Sequence, residues 1–246
     1  MIDQKQFWNN VRAKNYHKLS WINESDYINK ILNIASIEKE HLALDLGCGT
    51  GVMAMAMRKK TNRVLAVDLS EEMIKNFAVP DVNVLQWDMK EPLFADNLFD
   101  RIVARMVLHN VTQDIDKLIE NTYRILKPGG KFIIAEGTPP TDDPETVQWY
   151  TEMFKLKEER LVFTESDLVQ LLKRHHFKSF ETEIHYMDDF NINNWLENSG
   201  CDKKTQDDIL NLHINMNDRM KNIYHLKEVS NNWHIRTNNI ILSGQK

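Results

Sequence analysis

Short apolar segments alternate along the chain with segments that have helical periodicity. The apolar segments of strand length in the first half are 42–46, 63–67, 82–86, 99–104 and 131–136. Between them, apolar side chains recur every three or four positions, as at 28–35 and 115–126, which predicts amphipathic helices. Asn23 or Ser25 is the candidate N-cap of the first of these helices, and Thr112 is predicted to begin the second. Regular alternation of strands and helices is typical of parallel sheets with helices on both faces, so we predict a doubly wound α/β fold.

The pattern becomes less regular after position 136. A proline-rich connector is followed by a predicted helix at 147–163, and a second helix is predicted to begin at Thr164, with Asp167 completing a capping-box-like start. Alternating residues at 180–186 predict a strand. Further helices with loops at 188–234 and a last strand at 235–242 complete the prediction, and residues 1–20 are expected to form a short amphipathic helix or arm.

A glycine-rich turn joins the first predicted strand to its following helix. Asp45 precedes the turn, and glycines occupy positions 47, 49 and 51. Glycine permits positive φ and lets a ligand approach the main chain closely. A dinucleotide fingerprint would place its third glycine at position 52, which is Val52. The turn therefore predicts a nucleotide-like ligand at the carboxyl edge of the sheet, with a spacing unlike the dinucleotide motif.

The pattern D-x-G-x-G-x-G that begins at Asp45 resembles the first motif of the class I S-adenosylmethionine-dependent methyltransferases. The segment L-K-P-G-G-K-F-I-I at 126–134 resembles the turn that precedes the fifth strand in that family, and 105–110 is similar to its fourth motif. The resemblance implies a Rossmann-like, seven-stranded, mostly parallel sheet whose last strand is antiparallel near one edge, plus helical lid segments. We predict one domain over 1–246, divided into a helical arm (1–40), a cofactor-binding core (41–186), a helical insertion or lid (187–234) and the final strand (235–246).

Candidate cofactor contacts follow the ends of the predicted strands. Asp68 lies about twenty residues beyond the turn, where an acid commonly accepts hydrogen bonds from both ribose hydroxyls, although it could simply introduce the next helix. The resemblance implies that Asp88 and the backbone of Met89 read the adenine amino group; the alternative is a loop aspartate. Arg105 could bind the cofactor carboxylate or a substrate anion, or close the strand at the surface. The predicted cofactor-binding residues are Asp45, Gly47, Cys48, Gly49, Gly51, Asp68, Leu69, Asp88, Met89 and Arg105.

His109 is the candidate general base. It follows the fourth predicted strand, near the expected position of the acceptor, and an imidazole has a suitable pKa for proton transfer. The alternative is a histidine packed under the following helix. Methyl transfer depends mainly on alignment and the exclusion of water, so a dedicated base is optional. Aromatic side chains that could line an acceptor pocket are Phe7, Trp8, Tyr16, Trp149, Tyr150 and Phe154.

The composition limits the classes of partner. The chain of 246 residues has a formal net charge of -5, so we expect no general attraction to nucleic acids or anionic membranes. Cys48 and Cys201 lie far apart, without the spacing of a metal site, as is typical of a reducing compartment. Without a signal-peptide-like segment or an apolar run of membrane-spanning length, the expected location is cytoplasmic.

The predicted function is S-adenosylmethionine-dependent methyl transfer to the O, N, C or S atom of a small molecule. The resemblance is to enzymes that act on quinone precursors, phenols, amines and natural products. An N/D-P-P-Y/F/W tetrad, typical of adenine or glutamine amide methylation, does not follow the fourth strand, where 105–108 reads R-M-V-L. The alternatives are a non-catalytic cofactor-binding subunit and, against the Val52 spacing, a nicotinamide-dependent oxidoreductase. Monomer and homodimer both stay open.

Overall fold

The computed structural model describes residues 18–246. The predicted arm lies mostly outside the described residues, as do Phe7, Trp8 and Tyr16. The elements in chain order are α1 (Ser25–Ala35), β1 (Ala43–Leu46), α2 (Val52–Arg58), β2 (Val64–Asp68), α3 (Glu71–Lys75), β3 (Asn83–Gln86), β4 (Phe99–Arg105), a 3-10 turn (Leu108–Asn110), α4 (Ile115–Ile125), β5 (Leu126–Thr138), α5 (Pro144–Lys157), α6 (Glu165–Arg174), β6 (Lys178–Asn191), α7 (Ile192–Glu197), α8 (Lys203–Ile214), α9 (Asp218–Tyr224), β7 (Lys227–Val229) and β8 (Asn232–Gln245).

A single mixed sheet forms the centre of the described chain. Its order is β3-β2-β1-β4-β5-β8-β6, and β7 pairs with β8. The first five strands are parallel, whereas β8 runs antiparallel to both β5 and β6. The predicted doubly wound fold with an antiparallel last strand near one edge is therefore confirmed. The sheet has eight strands instead of seven because β7 forms a short hairpin with β8.

Apolar side chains of alternate strand positions cover the two faces of the sheet. One buried cluster joins Leu44 and Phe132 to residues of α4 and α6, and the other joins Ala43 and Ile133 to residues of α1 and α2. A third cluster lies outside the sheet and packs α5 against α7, α8 and α9. In the described part of the chain, no helix has the length and apolarity needed to cross a bilayer.

Several predicted boundaries were wrong. Helix α4 begins at Ile115 instead of Thr112, because Asp114 adopts a left-handed conformation with a φ of 58°. Helix α5 ends at Lys157 instead of 163 because the chain becomes extended at Glu158. The N-cap of α1 is Glu24, without a capping side-chain hydrogen bond, instead of Asn23 or Ser25. The predicted capping box of α6, by contrast, is present between Thr164 and Asp167.

Candidate active site

A cavity of about 670 Å³ lies at the carboxyl ends of the parallel strands. It is lined by the turn after β1, the end of β2, residues 88–90 after β3 and residues 105–107 at the end of β4. This larger cavity brings together all predicted cofactor-binding residues except Gly51. The lining residues from that set are Asp45, Gly47, Cys48, Gly49, Asp68, Leu69, Asp88, Met89 and Arg105. Their roles toward a cofactor stay predictions.

The three glycines of the turn have different physical tasks. All three adopt positive φ: 72° at Gly47, 53° at Gly49 and 95° at Gly51. A Cβ at Gly47 would lie 2.5 Å from Val107 Cγ2, and one at Gly51 would lie 2.4 Å from Val79 Cγ2. A Cβ at Gly49 would meet nothing within 4 Å. Gly51 therefore shapes the turn from behind, whereas Gly49 leaves open space on the side of the cavity.

The Asp45 carboxylate fixes the helix that follows the turn. Its Oδ2 accepts a 2.7 Å hydrogen bond from the Ala54 backbone N–H, while Gly51 at the N-cap has no side chain for that purpose. Asp45 is 1% exposed, and this burial raises its pKa to about 7, against the opposing effects of the Ala54 hydrogen bond and Arg105. A nearby cation would therefore readily stabilise the charged form.

Asp68 connects the end of β2 to the glycine turn. Its Oδ2 accepts a hydrogen bond from Gly49 N–H at 2.8 Å, and its Oδ1 accepts one from Ser70 N–H at 2.8 Å. Burial raises the pKa of Asp68, although these N–H groups oppose the shift. The helix-entry interpretation thus describes part of its role, yet the carboxylate also lines the larger cavity and has lone pairs left for a ligand.

Arg105 is a buried residue of the larger cavity, so the alternative of a surface residue was wrong. It is 8% exposed, its Nη2 donates to the Ile22 carbonyl at 2.8 Å, and its guanidinium lies over the Tyr27 ring at 5.1 Å. Among residues 18–246, the buried Nε finds no hydrogen-bond partner. A buried cation with an unused donor beside Asp45 fits a ligand with a carboxylate or another acceptor.

Asp88 and Met89 lie further along the larger cavity. The side chain of Asp88 is 36% exposed, and its Oδ1 accepts a 3.0 Å hydrogen bond from Lys90 N–H. Met89 is buried at 8% exposure. This local Asx-type bond is compatible with the loop interpretation, and the second oxygen, Oδ2, lies 3.9 Å from Lys90 Nζ.

His109 faces a second, smaller cavity of about 100 Å³. Its ring is 3% exposed, and Nδ1 lies 2.7 Å from Oε2 of Glu136, which is fully buried at the end of β5. Glu136 Oε1 also accepts hydrogen bonds from Val107 N–H at 2.8 Å and Leu108 N–H at 2.6 Å. Among residues 18–246, the His109 ring makes its side-chain hydrogen bond through Nδ1 alone, so Nε2 is left for a ligand.

The electrostatics of this pair favour a neutral imidazole beside an ionised carboxylate. Burial lowers the pKa of His109, and the positive charge of Arg160 lowers it further, against the opposing effect of Glu136. Burial alone would raise the pKa of Glu136, but His109, Arg160 and the Leu108 N–H together hold it below its usual value. Since an ionised carboxylate can only accept, the single proton lies on Nδ1, and Nε2 is an acceptor.

The other walls of the smaller cavity come largely from α5, α7, α8, α9 and β8. Tyr150 and Phe154 line it, and their role toward an acceptor stays a prediction, whereas Trp149 packs against His213 and Tyr224. The smaller cavity also contains a buried ion cluster in which Glu158 accepts from Lys157 Nζ at 2.7 Å and lies 3.6 Å from Arg160 Nη1. The backbone bond from Leu161 N–H to the His109 carbonyl, 2.9 Å long, holds this extended segment in place.

The sequence interpretation missed several residues of the smaller cavity. Glu136 was treated only as the end of a strand, although an acid that follows the apolar run 132–135 repeats the pattern of Asp45 and Asp68. That repeated pattern was an available signal. For Glu158 and Asn239 the local sequence contains no comparable signal, because their neighbours in the cavity come from distant parts of the chain.

Comparisons with known proteins agree with this geometry. A family model described as a methyltransferase domain matches residues 44–134. Over 124 residues the chain is 32% identical to the ubiquinone/menaquinone biosynthesis C-methyltransferase UbiE of Haemophilus ducreyi, which covers 46% of this chain and 48% of that protein. Over 98 residues it is 40% identical to the mitochondrial arginine-hydroxylase NDUFAF5 of Homo sapiens, which covers 38% of this chain and 28% of that protein. The chain thus spans about half, or less, of these relatives.

Solved structures are similar over most of the chain. YcgJ from Bacillus subtilis has a TM-score of 0.78 and 19% identity, covering 90% of this chain and 98% of its own. Phosphoethanolamine N-methyltransferase 2 of Haemonchus contortus, solved with phosphomonomethylethanolamine and S-adenosylhomocysteine, has a TM-score of 0.67 and 19% identity, covering 100% of this chain and 60% of its own. The predicted fold and the predicted resemblance to class I methyltransferases are confirmed. The predicted enzyme class and its S-adenosylmethionine cofactor agree with the description of the matched domain.

Proposed function

We propose that this chain, which carries the domain of the S-adenosylmethionine-dependent methyltransferases at residues 44–134, methylates a small-molecule acceptor. The cofactor would occupy the larger cavity and the acceptor the smaller one. One observation carries the proposal: Met106, at the end of β4, lines both cavities, and His109, three residues later, lines the smaller one. A donor and an acceptor bound in these cavities would meet beside a candidate base.

The side chains of the larger cavity fit the cofactor. Its volume of about 670 Å³ suits a small-molecule ligand. Asp68 would accept from the ribose hydroxyls, Asp45 would pair with the ammonium, and the unused Nε of Arg105 would donate to the carboxylate. Asp88 and Met89 would read the adenine, with Leu69 packed beside it, while Gly47, Cys48, Gly49 and, indirectly, Gly51 would shape the turn.

When bound, the cofactor supplies a methyl group from a sulfonium, whose carbon–sulfur bond breaks with the electron pair left on sulfur while an acceptor lone pair forms the new bond to carbon. His109 Nε2 would take the proton of the acceptor, because this nitrogen is the unprotonated one. Glu136 would hold the ring in that tautomer and stabilise the imidazolium that forms. The buried walls would exclude water from the smaller cavity.

Calorimetric titration with S-adenosylhomocysteine tests the cofactor assignment, with NAD as the comparison ligand. We expect micromolar binding of the first ligand alone, and strong weakening in Asp68→Ala. Asp68→Asn separates ligand binding from support of the turn, since an amide oxygen can still accept from Gly49 N–H. Asp116→Ala, an exposed aspartate outside both cavities, is the matched control. Binding of NAD instead would overturn the assignment.

The similarity to a protein that is named an arginine-hydroxylase, and not a methyltransferase, supports a second candidate function. In this candidate the chain is a subunit that binds S-adenosylmethionine without transferring its methyl group. The His109–Glu136 pair supports methyl transfer, because a binding-only subunit has no need for a buried base beside a second cavity. Binding of S-adenosylhomocysteine without methyl transfer to any acceptor would favour the alternative.

The acidic net charge of the chain argues against a nucleic acid as the methyl acceptor. The cytoplasmic location stays a prediction from the sequence.

A further inference from the structure

One side chain lies at the boundary between the two cavities. Met106 is the only residue within 18–246 that lines both, whereas Arg105 and Val107 beside it line the larger cavity alone. Residues 102–105 and 107–109 are buried, but Met106 is half-buried because it faces the open space of the cavities. The main chain at this position therefore borders the larger cavity, and the Met106 side chain crosses into the smaller one.

The end of this side chain lies near the wall of the smaller cavity at Gly137. A Cβ built on Gly137 would lie 3.7 Å from Met106 Cε and 3.3 Å from the Tyr150 hydroxyl. Gly137 and Tyr150 both line the smaller cavity. Because 3.7 Å is an ordinary contact between two carbon atoms, about one carbon atom would fill the gap between the Met106 methyl and Gly137. The thioether therefore narrows the boundary between the cavities.

The main chain at Met106 has an unfavourable conformation that its neighbours hold in place. Its φ is 58°, in the left-handed region that a residue with a Cβ rarely adopts. The Met106 N–H donates to the Ala135 carbonyl at 2.8 Å. The next two N–H groups, of Val107 and Leu108, donate to Glu136 Oε1. These bonds fix the main chain, so the movable part of Met106 is its side chain, which has three rotatable bonds.

Methyl transfer requires this boundary to open. In an in-line displacement the acceptor atom approaches the methyl carbon to about 3–3.5 Å, with nothing between them. A sulfonium in the larger cavity and an acceptor beside His109 would lie on opposite sides of the Met106 side chain. Rotation of the thioether would join the two cavities, and it would also enlarge the smaller one, whose volume is about 100 Å³ with the thioether in place.

We propose that Met106 is a gate between the two cavities. Its thioether closes the boundary in this structure and rotates away from Gly137 when a group on the cofactor sulfur reaches into the smaller cavity. The rotation breaks and forms no covalent bond. This inference rests on the proposed function, because it places the cofactor in the larger cavity. Met106 thereby determines the size of the group that can pass from the sulfur toward His109.

The test needs no known acceptor, because a longer group on the cofactor sulfur serves as the probe. The probe is the S-adenosylmethionine analogue with S-allyl in place of S-methyl, and calorimetry with the full chain compares its Kd with that of S-adenosylmethionine. Three carbon atoms need roughly half of the ~150 Å³ cavity that takes up benzene, so an allyl group fits the smaller cavity beyond Met106. We expect the allyl analogue to bind about tenfold more weakly or worse, as when the open arrangement is the minor one.

Variants of Met106 test whether the thioether is the obstacle. Met106→Ala should bring the ratio of the two Kd values close to one, because the atoms beyond Cβ are removed. Met106→Gly should do the same, and it guards against misfolding because glycine adopts a φ of 58° without strain. Met153→Ala is the matched control, since this methionine is 4% exposed and lines the smaller cavity but not the larger one. It adds volume without opening the boundary, so its ratio should equal that of the wild type.

Three outcomes overturn the gate. They are equal Kd values for the two ligands in the wild-type chain, an unchanged ratio in both folded Met106 variants, and a ratio close to one in Met153→Ala. The last outcome would show that the volume of the smaller cavity, and not the boundary, limits the allyl group. Failure of the wild-type chain to bind either ligand overturns the proposed function, and so it is distinguishable from failure of the gate.

Discussion

The two cavities differ in how the chain builds them. The larger cavity is made mainly from consecutive strand ends. Its Asp45–Ala54 and Asp68–Gly49 contacts join residues 9 and 19 positions apart, whereas Arg105, which bonds Ile22 over 83 positions, draws on a distant segment for its hydrogen bond. The smaller cavity joins His109 to Glu136 and then to side chains of α5, α7, α9 and β8. Local backbone geometry thus fixes the proposed donor site, whereas the packing of distant segments fixes the proposed acceptor site.

This difference explains why the two sites can change independently. The glycine turn depends on main-chain conformation and on a few acids, which allow little substitution. The walls of the smaller cavity are side chains on separate elements, so a single replacement alters its shape or polarity without disturbing the turn. Variants in one cavity should therefore leave the function of the other intact, and the following predictions test that separation.

The largest expected effect is a loss of turnover when the candidate base, His109, is replaced. His109→Gln should lower kcat by about 10²–10⁴-fold, the usual contribution of general-base catalysis, while the Kd for S-adenosylhomocysteine stays unchanged. Labelled-methyl transfer and calorimetry measure the two quantities. His175→Gln, whose ring pairs with Asp116 at the surface, is the matched control. Wild-type turnover in His109→Gln would remove the proposed role.

The next effect concerns the turn. Gly51→Ala should lower the free energy of unfolding by about 2–4 kcal/mol, from strain at a φ of 95° and from overlap with Val79. Cofactor affinity should fall with it. Gly49→Ala is the matched control, since it has positive φ but no neighbour within 4 Å, and should cost about 1 kcal/mol. Denaturant unfolding would compare them, and equal losses would contradict the steric explanation.

A smaller effect is expected at the wall of the smaller cavity. Gly137→Ala should raise the KM for the acceptor about tenfold, because its Cβ would lie 3.3 Å from the Tyr150 hydroxyl in a cavity with little spare room. The Kd for S-adenosylhomocysteine should not change. A parallel loss of cofactor affinity would show that the two cavities are not separable at this position.

The smallest effects are shifts with pH, and they should differ between the cavities. Since burial raises the pKa of Asp45 to about 7, ionisation favours an ammonium ligand above that pH, and affinity for S-adenosylhomocysteine should rise through it. Asp45→Asn should remove this dependence. Because burial lowers the pKa of His109, kcat should fall only below that lowered pKa and be flat around neutral pH. A single shared profile for affinity and kcat would contradict the assignment.

The sequence determined the parallel part of the sheet and most of the larger cavity. Alternating segments predicted β1 to β5, and the turn with Asp45 and Asp68 could be located because one strand–turn–helix unit and the next strand contain every residue involved. Gly51 was the exception, because only the packed structure shows that its absent Cβ makes room for Val79 instead of for a ligand. A motif identifies the conformation of a turn, but not the side on which space is needed.

The tertiary structure alone decided the smaller cavity. The 3-10 turn that carries His109 is held by Glu136, a long-range contact that local periodicity does not encode. Asn238 and Asn239 line the smaller cavity because β8 runs antiparallel beside β5, which brings a segment from late in the chain to this site. Local patterns record conformational preference over a few residues, whereas the polarity, charge balance and volume of a cavity are properties of segments that meet only in the folded chain.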